Sequence, residues 1–405
     1  MNRPSRLALL SLVAASLMLI AGCPKQPPAV SAPEPQRVAA APAANTPGHP
    51  ETTGGQWGCL YEGEGGVYWL SAAAGATPTR ILELAGEENS IEGFAISADG
   101  SLVAITSGAW TCGILHLTSG ETTPVWEADK DPGPLAWSPA GDRLAYAQGG
   151  ALSVLTVGGA AEVLVADPFV SAVAWSPDGR QIAYGQRDEN DQDLGLFLIP
   201  AAGGTPRQLV KGTHDVFGVA DISWSPDGRQ IAFMHAWEGG ALCFVNADGT
   251  RYRANVGPAF GTAKWRQDGS AVVYTAMANE METLGVYRCT PTGKPEAIVR
   301  GKNVTYDLFA DGRVLAISSP GEGSEQPVYL KLLAEPRAAA TVQWKGTMPG
   351  TAISGFAQPD GSHVALWAQD KDGNESLWIG ETGQMPTKRA EGIKRLLGWS
   401  QGPGR

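Results

Sequence analysis

Short apolar runs along this chain come in pairs, and the polar residues between the members of a pair are nearly constant. Residues 173–184 read VAWSPDGRQIAY, and residues 222–233 read ISWSPDGRQIAF. Looser copies stand at FAISADGSLVAI (94–105), LAWSPAGDRLAY (135–146), AKWRQDGSAVVY (263–274), YDLFADGRVLAI (306–317) and GFAQPDGSHVAL (355–366). Each copy predicts a β-hairpin: an apolar strand, a turn whose fullest form is Pro-Asp-Gly, in which proline presets φ and glycine accepts a positive φ, and a second apolar strand. The residue before the turn glycine is Asp99, Ala140, Asp178, Asp227, Asp268, Asp311 or Asp360, at intervals of 41, 38, 49, 41, 43 and 49 residues. That spacing matches the roughly 40 to 45 residues of a propeller blade. The expected fold is all-β, a β-propeller of four-stranded blades.

On this reading the turn aspartates are turn formers before they are ligands, and Trp137, Trp175, Trp224 and Trp265 are core residues of the repeat. The Ala140 copy, with Asp142 displaced past the glycine, implies that a carboxylate at the turn is dispensable. The phrase resembles the PD40 repeat of the TolB-like propeller family, in which WSPDG is followed by an IAF-like strand, a third strand and a turn. LGLFLIPAAGGTPRQLV (194–210) follows in that order. The resemblance implies the fold and is nearly silent on activity.

Within a blade the strands run A (ending in WSP), B, C and D. CLYEG (59–63), GVYWLSA (66–72) and TRILEL (79–84) look like B, C and D with no A before them, while LLGWSQ (396–401) looks like an A with nothing after it. Together they make one composite blade. Eight blades closed by the C-terminal strand are therefore expected, leaving no long unpaired edge; seven is the alternative, with the terminal fragments on an outer edge.

The first 22 residues carry a basic start and the apolar run LALLSLVAASLMLI, the layout of a secretory signal. IAGC (20–23) resembles the bacterial lipoprotein box, which implies acylation of Cys23 and anchoring to a membrane. By the same resemblance, Pro24 after the cysteine implies the outer membrane, facing the periplasm. Residues 24–55 are rich in proline and alanine and lack aromatics, so segment 23–55 reads as a lipidated cysteine on a disordered tether and 56–405 as the propeller. The net charge of −11 becomes −13 once Arg3 and Arg6 leave with the signal, which argues against nucleic acid as a partner. Cys59, Cys112, Cys243 and Cys289 remain, and they are equally consistent with two disulfides or with buried thiols.

Strand order places A–B and C–D turns on one side of the ring and B–C loops and D–A connections on the other. The first side is all short turns. Length variation falls in the B–C loops, where function is usually grafted on a rigid scaffold. Those loops are acidic, with Asp188, Glu189, Asp191, Asp193, Glu280, Glu282, Asp370, Asp372 and Glu375 among their residues and Glu62 and Glu64 in the first of them. A focused negative face attracts a basic peptide or an envelope protein with a basic patch. Trp110 and Trp237 stand in the same set as contact anchors, each equally able to pack under its own loop. The stretches 188–193 and 370–375 are oxygen-rich enough to hold Ca²⁺ weakly, although neither follows the EF-hand order; no other cofactor is expected. No H-E-x-x-H or P-loop motif occurs, and the five histidines show no ligand spacing. The leading expectation is a monomeric, non-catalytic binding lipoprotein of the cell envelope. The alternative is a carbohydrate-active or hydrolytic propeller with its site at the central channel mouth.

Overall fold

Serine and aspartate, rather than proline, tie the repeated hairpin together. Ser176 Oγ donates to Asp178 Oδ1 at 2.6 Å and accepts the N–H of Gln181 at 2.9 Å, while the same Asp178 oxygen accepts the N–H of Arg180 at 3.0 Å. The turn glycine, Gly179, has φ +67°. Ser225 with Asp227 and Ser97 with Asp99 repeat these bonds. The Ala140 copy corrects the expectation that its turn does without a carboxylate: Ser138 Oγ donates instead to the displaced Asp142, at 2.8 Å. The carboxylate moved along the loop, and the hydroxyl still found it.

The computed structural model describes residues 56–403 apart from 85–89, 109–110, 127–131, 167–168, 213–217, 236–239, 278–283, 302–303, 310–311, 319–327, 334–340, 347–350 and 371. Cys23, the tether, Trp110, Trp237, Glu280 and Glu282 lie outside the described residues. Among the described residues the strands pair as eight four-stranded antiparallel sheets. Seven are built from consecutive strands, over residues 91–126, 132–165, 169–211, 219–258, 260–301, 304–346 and 351–391. In the remaining, composite sheet, Trp57–Gly63, Gly66–Ser71 and Thr79–Glu83 are joined by the C-terminal strand Ile393–Gln401. Trp57–Gly63 lies directly beside that strand, with Cys59 opposite Trp399. The terminal fragments thus complete one sheet and do not decorate an outer edge. The chain is an all-β propeller of four-stranded sheets closed through its C-terminal strand.

The repeat tryptophans hold sheet to sheet. Trp137 Nε1 donates to Ala95 O at 2.9 Å, Trp175 to Ala136 O at 3.0 Å, Trp224 to Ala174 O at 3.3 Å and Trp265 to Ser223 O at 3.0 Å. Trp399 of the C-terminal strand does the same to Phe356 O at 3.0 Å. Each indole therefore covers apolar surface and also satisfies a carbonyl on the inner strand of the preceding sheet. Leu308, Ala357 and Ile96 stand where the repeat would put tryptophan, and polar groups close those junctions. The single hydroxyl proton of Tyr306 is shared between Thr262 O at 2.8 Å and Val273 O at 2.7 Å. Asp307 accepts Lys264 Nζ at 2.7 Å and the N–H of Ala357 at 2.9 Å. At the last junction Gln401 bonds Asp99 O and Gly100 O, and Arg395 bonds Ile91 O.

The core is divided among the spaces between sheets. Leu196, Leu198, Ile231, Phe233 and Val245 fill one of them. The composite sheet is packed on both sides: Tyr61, Leu70, Ile393 and Trp399 meet Trp367 and Leu377, while Leu60, Val67 and Leu397 meet Ile105 and Leu115. Cys59, Cys112, Cys243 and Cys289 are buried and free, so of the two readings left open by the sequence the fold contains buried thiols. Each lies in a different sheet. Burial pushes all four thiols above the usual cysteine range.

Candidate binding face

Three kinds of carboxylate are found at the B–C end of the sheets. Some build turns. Asp188 accepts the N–H groups of Asn190 and Gln192 through one oxygen, at 2.8 and 2.9 Å. Asp370 accepts the N–H groups of Asp372 and Asn374 and the Asn374 side chain, at 2.9, 2.8 and 2.9 Å. The Asn374 amide, joined by those N–H groups, holds the Asp370 carboxyl below the usual carboxylate range. Donors within the loop thus engage the oxygens that would hold Ca²⁺. Among the described residues no cluster of three His, Cys, Asp or Glu is arranged to hold a metal ion.

A second group faces solvent. Glu64, Glu189, Asp191 and Asp372 are exposed. Asp191 sits at φ +60° and lies 3.9 Å from Arg187 Nη1.

The third group is buried, which corrects the expectation that all these acids belong to an open loop face. Asp193 is 1% exposed; it begins the strand Asp193–Pro200, accepts the N–H of Gly195 at 2.8 Å and faces His235. Glu62 is 4% exposed and lies on the strand Trp57–Gly63, not in a loop. Burial pushes its carboxyl up while Arg395 pulls it down. Glu375 begins the strand Glu375–Glu381, half-buried, and burial raises its pKa to about 7. These acids end or begin strands, where the side chain turns between sheets rather than out to water. Loop composition alone could not separate them from their exposed neighbours, and it also passed over Arg187 and His235. Their one signal was position, since both are polar residues closing an apolar strand, IAYGQR and IAFMH.

Of the inner-strand carboxylates, Asp221 and Asp307 are engaged between sheets, whereas Glu92, on the strand Ile91–Ile96, is exposed. Asp221 accepts the N–H of Ala263 at 2.8 Å, and Asp307 is held as described above. Two concavities lie on the opposite side, among the short turns. One, of about 160 Å³, is lined by Phe244, Tyr252, Arg253 and Pro291. The other, of about 490 Å³, runs between the turns at Asp227 and Asp248.

No protein-family model matches the chain, and no curated protein matches it. Solved structures do. Dihydro-heme d1 dehydrogenase NirN in complex with DHE superimposes with a TM-score of 0.61 at 19% identity, covering 89% of this chain and 77% of that one. An oligogalacturonate lyase in complex with manganese gives 0.54 at 15% identity, over 82% of this chain and 98% of the other. A putative TolB from Agrobacterium tumefaciens gives 0.39 at 17% identity, over 64% and 94%. At these identities the likeness extends to the fold alone. The chain is a β-propeller, structurally similar at low identity to proteins of differing activities.

Proposed function

We propose that this protein is a lipid-anchored component of the bacterial cell envelope whose eight-bladed propeller binds a basic protein partner and catalyses no reaction. The anchor rests on the IAGC sequence ending at Cys23, and the outer membrane facing the periplasm is the favoured site. The binding role rests on one asymmetry. The face of B–C loops varies in length and presents Glu64, Glu189, Asp191 and Asp372 to solvent, against a face of short turns. Charges so placed speed encounter with a positive partner and set its salt dependence. The non-catalytic reading is supported by the inner-strand carboxylates Asp221 and Asp307, which accept bonds from neighbouring strands.

Fractionation and crosslinking test both halves. Cys23→Ala should move the protein out of the membrane fraction, and crosslinking in envelope membranes should capture a partner whose recovery falls as salt rises. A cleaved Cys23→Ala protein still needing detergent for release would remove the anchor. Turnover of an oligosaccharide by the purified chain would replace binding with catalysis.

A further inference from the structure

Sheets 169–211 and 219–258 meet at the B–C end in a corner that the hairpin chemistry does not use. Arg187 ends the strand Gln181–Arg187 and is the register partner of Asp193 on one side and of Phe169 on the other. Register partners leave a sheet on the same face. Phe169, Arg187 and Asp193 therefore point toward the next sheet. From that sheet His235, partner of Val219, points back, with its Nε2 3.9 Å from Asp193 Oδ2. His235 is 5% exposed. Two glycines let the sheets approach closely here. A Cβ on Gly185 would strike Ser171 Oγ and Val219, and one on Gly218 (φ +95°) would meet Arg187 Nε at 2.9 Å.

Two buried nitrogens in this corner, Arg187 Nε and His235 Nε2, have no hydrogen-bond partner among the described residues. Leaving a buried polar nitrogen unsatisfied costs about 1–3 kcal/mol, and with His235 protonated both nitrogens are donors, which favours an oxygen-bearing group. The charges around them are those of Asp193, of Asp191 at the loop and of Arg187 itself; Tyr252 stacks on Phe233, whose ring meets the His235 imidazole edge-on. With His235 protonated, two cations face two carboxylates, of which only Asp193 is buried. Phe169, half exposed, stands at the entrance beside Arg187.

We propose that this corner binds a carboxylate carried on a small apolar body. Arg187 and protonated His235 donate to the carboxylate oxygens, Asp193 positions the imidazole, and Phe169 packs on the apolar part. Burial lowers the His235 pKa and Asp193 raises it, so uptake of the ligand is linked to uptake of a proton. The site uses cations, and it stands whether or not the acidic loops bind a basic partner.

Calorimetric titration of the full chain with benzoate tests this, with benzamide as the uncharged control and N-acetylphenylalanine as a mimic of a peptide C-terminus. Saturable binding of either acid, tighter at pH 5.5 than at pH 8 and absent for benzamide, is expected; the tighter acid tells a free acid from a chain terminus. Arg187→Gln and His235→Gln should each weaken it about tenfold or more, the loss of one charged hydrogen bond. Should Arg187→Gln fail to fold, Arg187→Lys keeps the charge without the planar fork and should weaken binding with melting unchanged. No heat from either acid, or affinity untouched by both the Arg187 and His235 substitutions, would overturn the site.

Discussion

Glu62 and Arg395 stand opposite one another in the composite sheet, and both reach Ile91 on the neighbouring one. The Arg395 guanidinium donates to Ile91 O at 3.0 Å, and the Glu62 carboxylate accepts the N–H of the same residue. One backbone unit is thus held by both charges at the junction where the ring closes. Arg395→Met should cost about 2 kcal/mol by leaving a buried carboxylate without its cation. The loss should be larger at pH 8 than at pH 5. Burial raises the folded pKa of Glu62 above its unfolded value, so its favourable contribution is present at low pH and fades as pH rises through the folded value. Urea midpoints at the two pH values measure this, and equal losses would mean that Glu62 is not the group responding.

The tryptophan latch separates into area and hydrogen bond. Trp175→Phe keeps most of the apolar contact but deletes the bond to Ala136 O, which should cost about 1 kcal/mol plus the fit of the smaller ring. Trp175→Ala removes both and should cost about 3–5 kcal/mol. Where Leu308 replaces tryptophan, the Tyr306 hydroxyl carries the junction, so Tyr306→Phe should cost about 1–3 kcal/mol with almost no change in volume. Denaturant unfolding compares the three, and a neutral Tyr306→Phe would mean that the phenol is no substitute for the indole.

Glu375 makes stability fall with rising pH. Its folded pKa of about 7 lies above the ordinary 4.5, so the neutral form is favoured by folding. Stability from this group is full below about pH 4.5 and is lost as pH rises through about 7. Glu375→Gln should therefore narrow the difference between melting temperatures at pH 5 and pH 8, chiefly by raising the value at pH 8. A Gln variant with the parent's pH profile would exclude Glu375.

Much of the fold could be read in the sequence because each hairpin is specified locally. The Ser-x-Asp-Gly turn and the apolar strands of IAY and IAF need no distant contact to be recognised. The composite sheet was legible because the terminal fragments are copies of the same unit with complementary parts missing. The site was far less legible. Asp188 and Asp193 are five residues apart in one acidic stretch, yet one folds back on its own loop and the other enters the space between two sheets. That difference is set by where the strand Asp193–Pro200 begins, and by His235 on another sheet, and neither appears in local composition.

The same difference decides how the acidic face can be tested. Lysine at Glu189, Asp191 and Asp372 together should leave the fold intact, at a cost of about 1 kcal/mol at Asp191, whose positive φ suits aspartate better than lysine. Lysine at Asp193 should not, since it would put a buried cation beside the buried His235. With an octalysine peptide as the probe, the triple variant should associate more slowly than the parent, and its affinity should change less between roughly 25 and 250 mM salt, where screening shortens from well beyond the loop to about its own width. Stopped-flow rates across that series read the effect directly. Rates that match the parent's at every salt concentration would leave Glu189, Asp191 and Asp372 as solubilising charges only, and the binding face would have to be sought elsewhere on the ring.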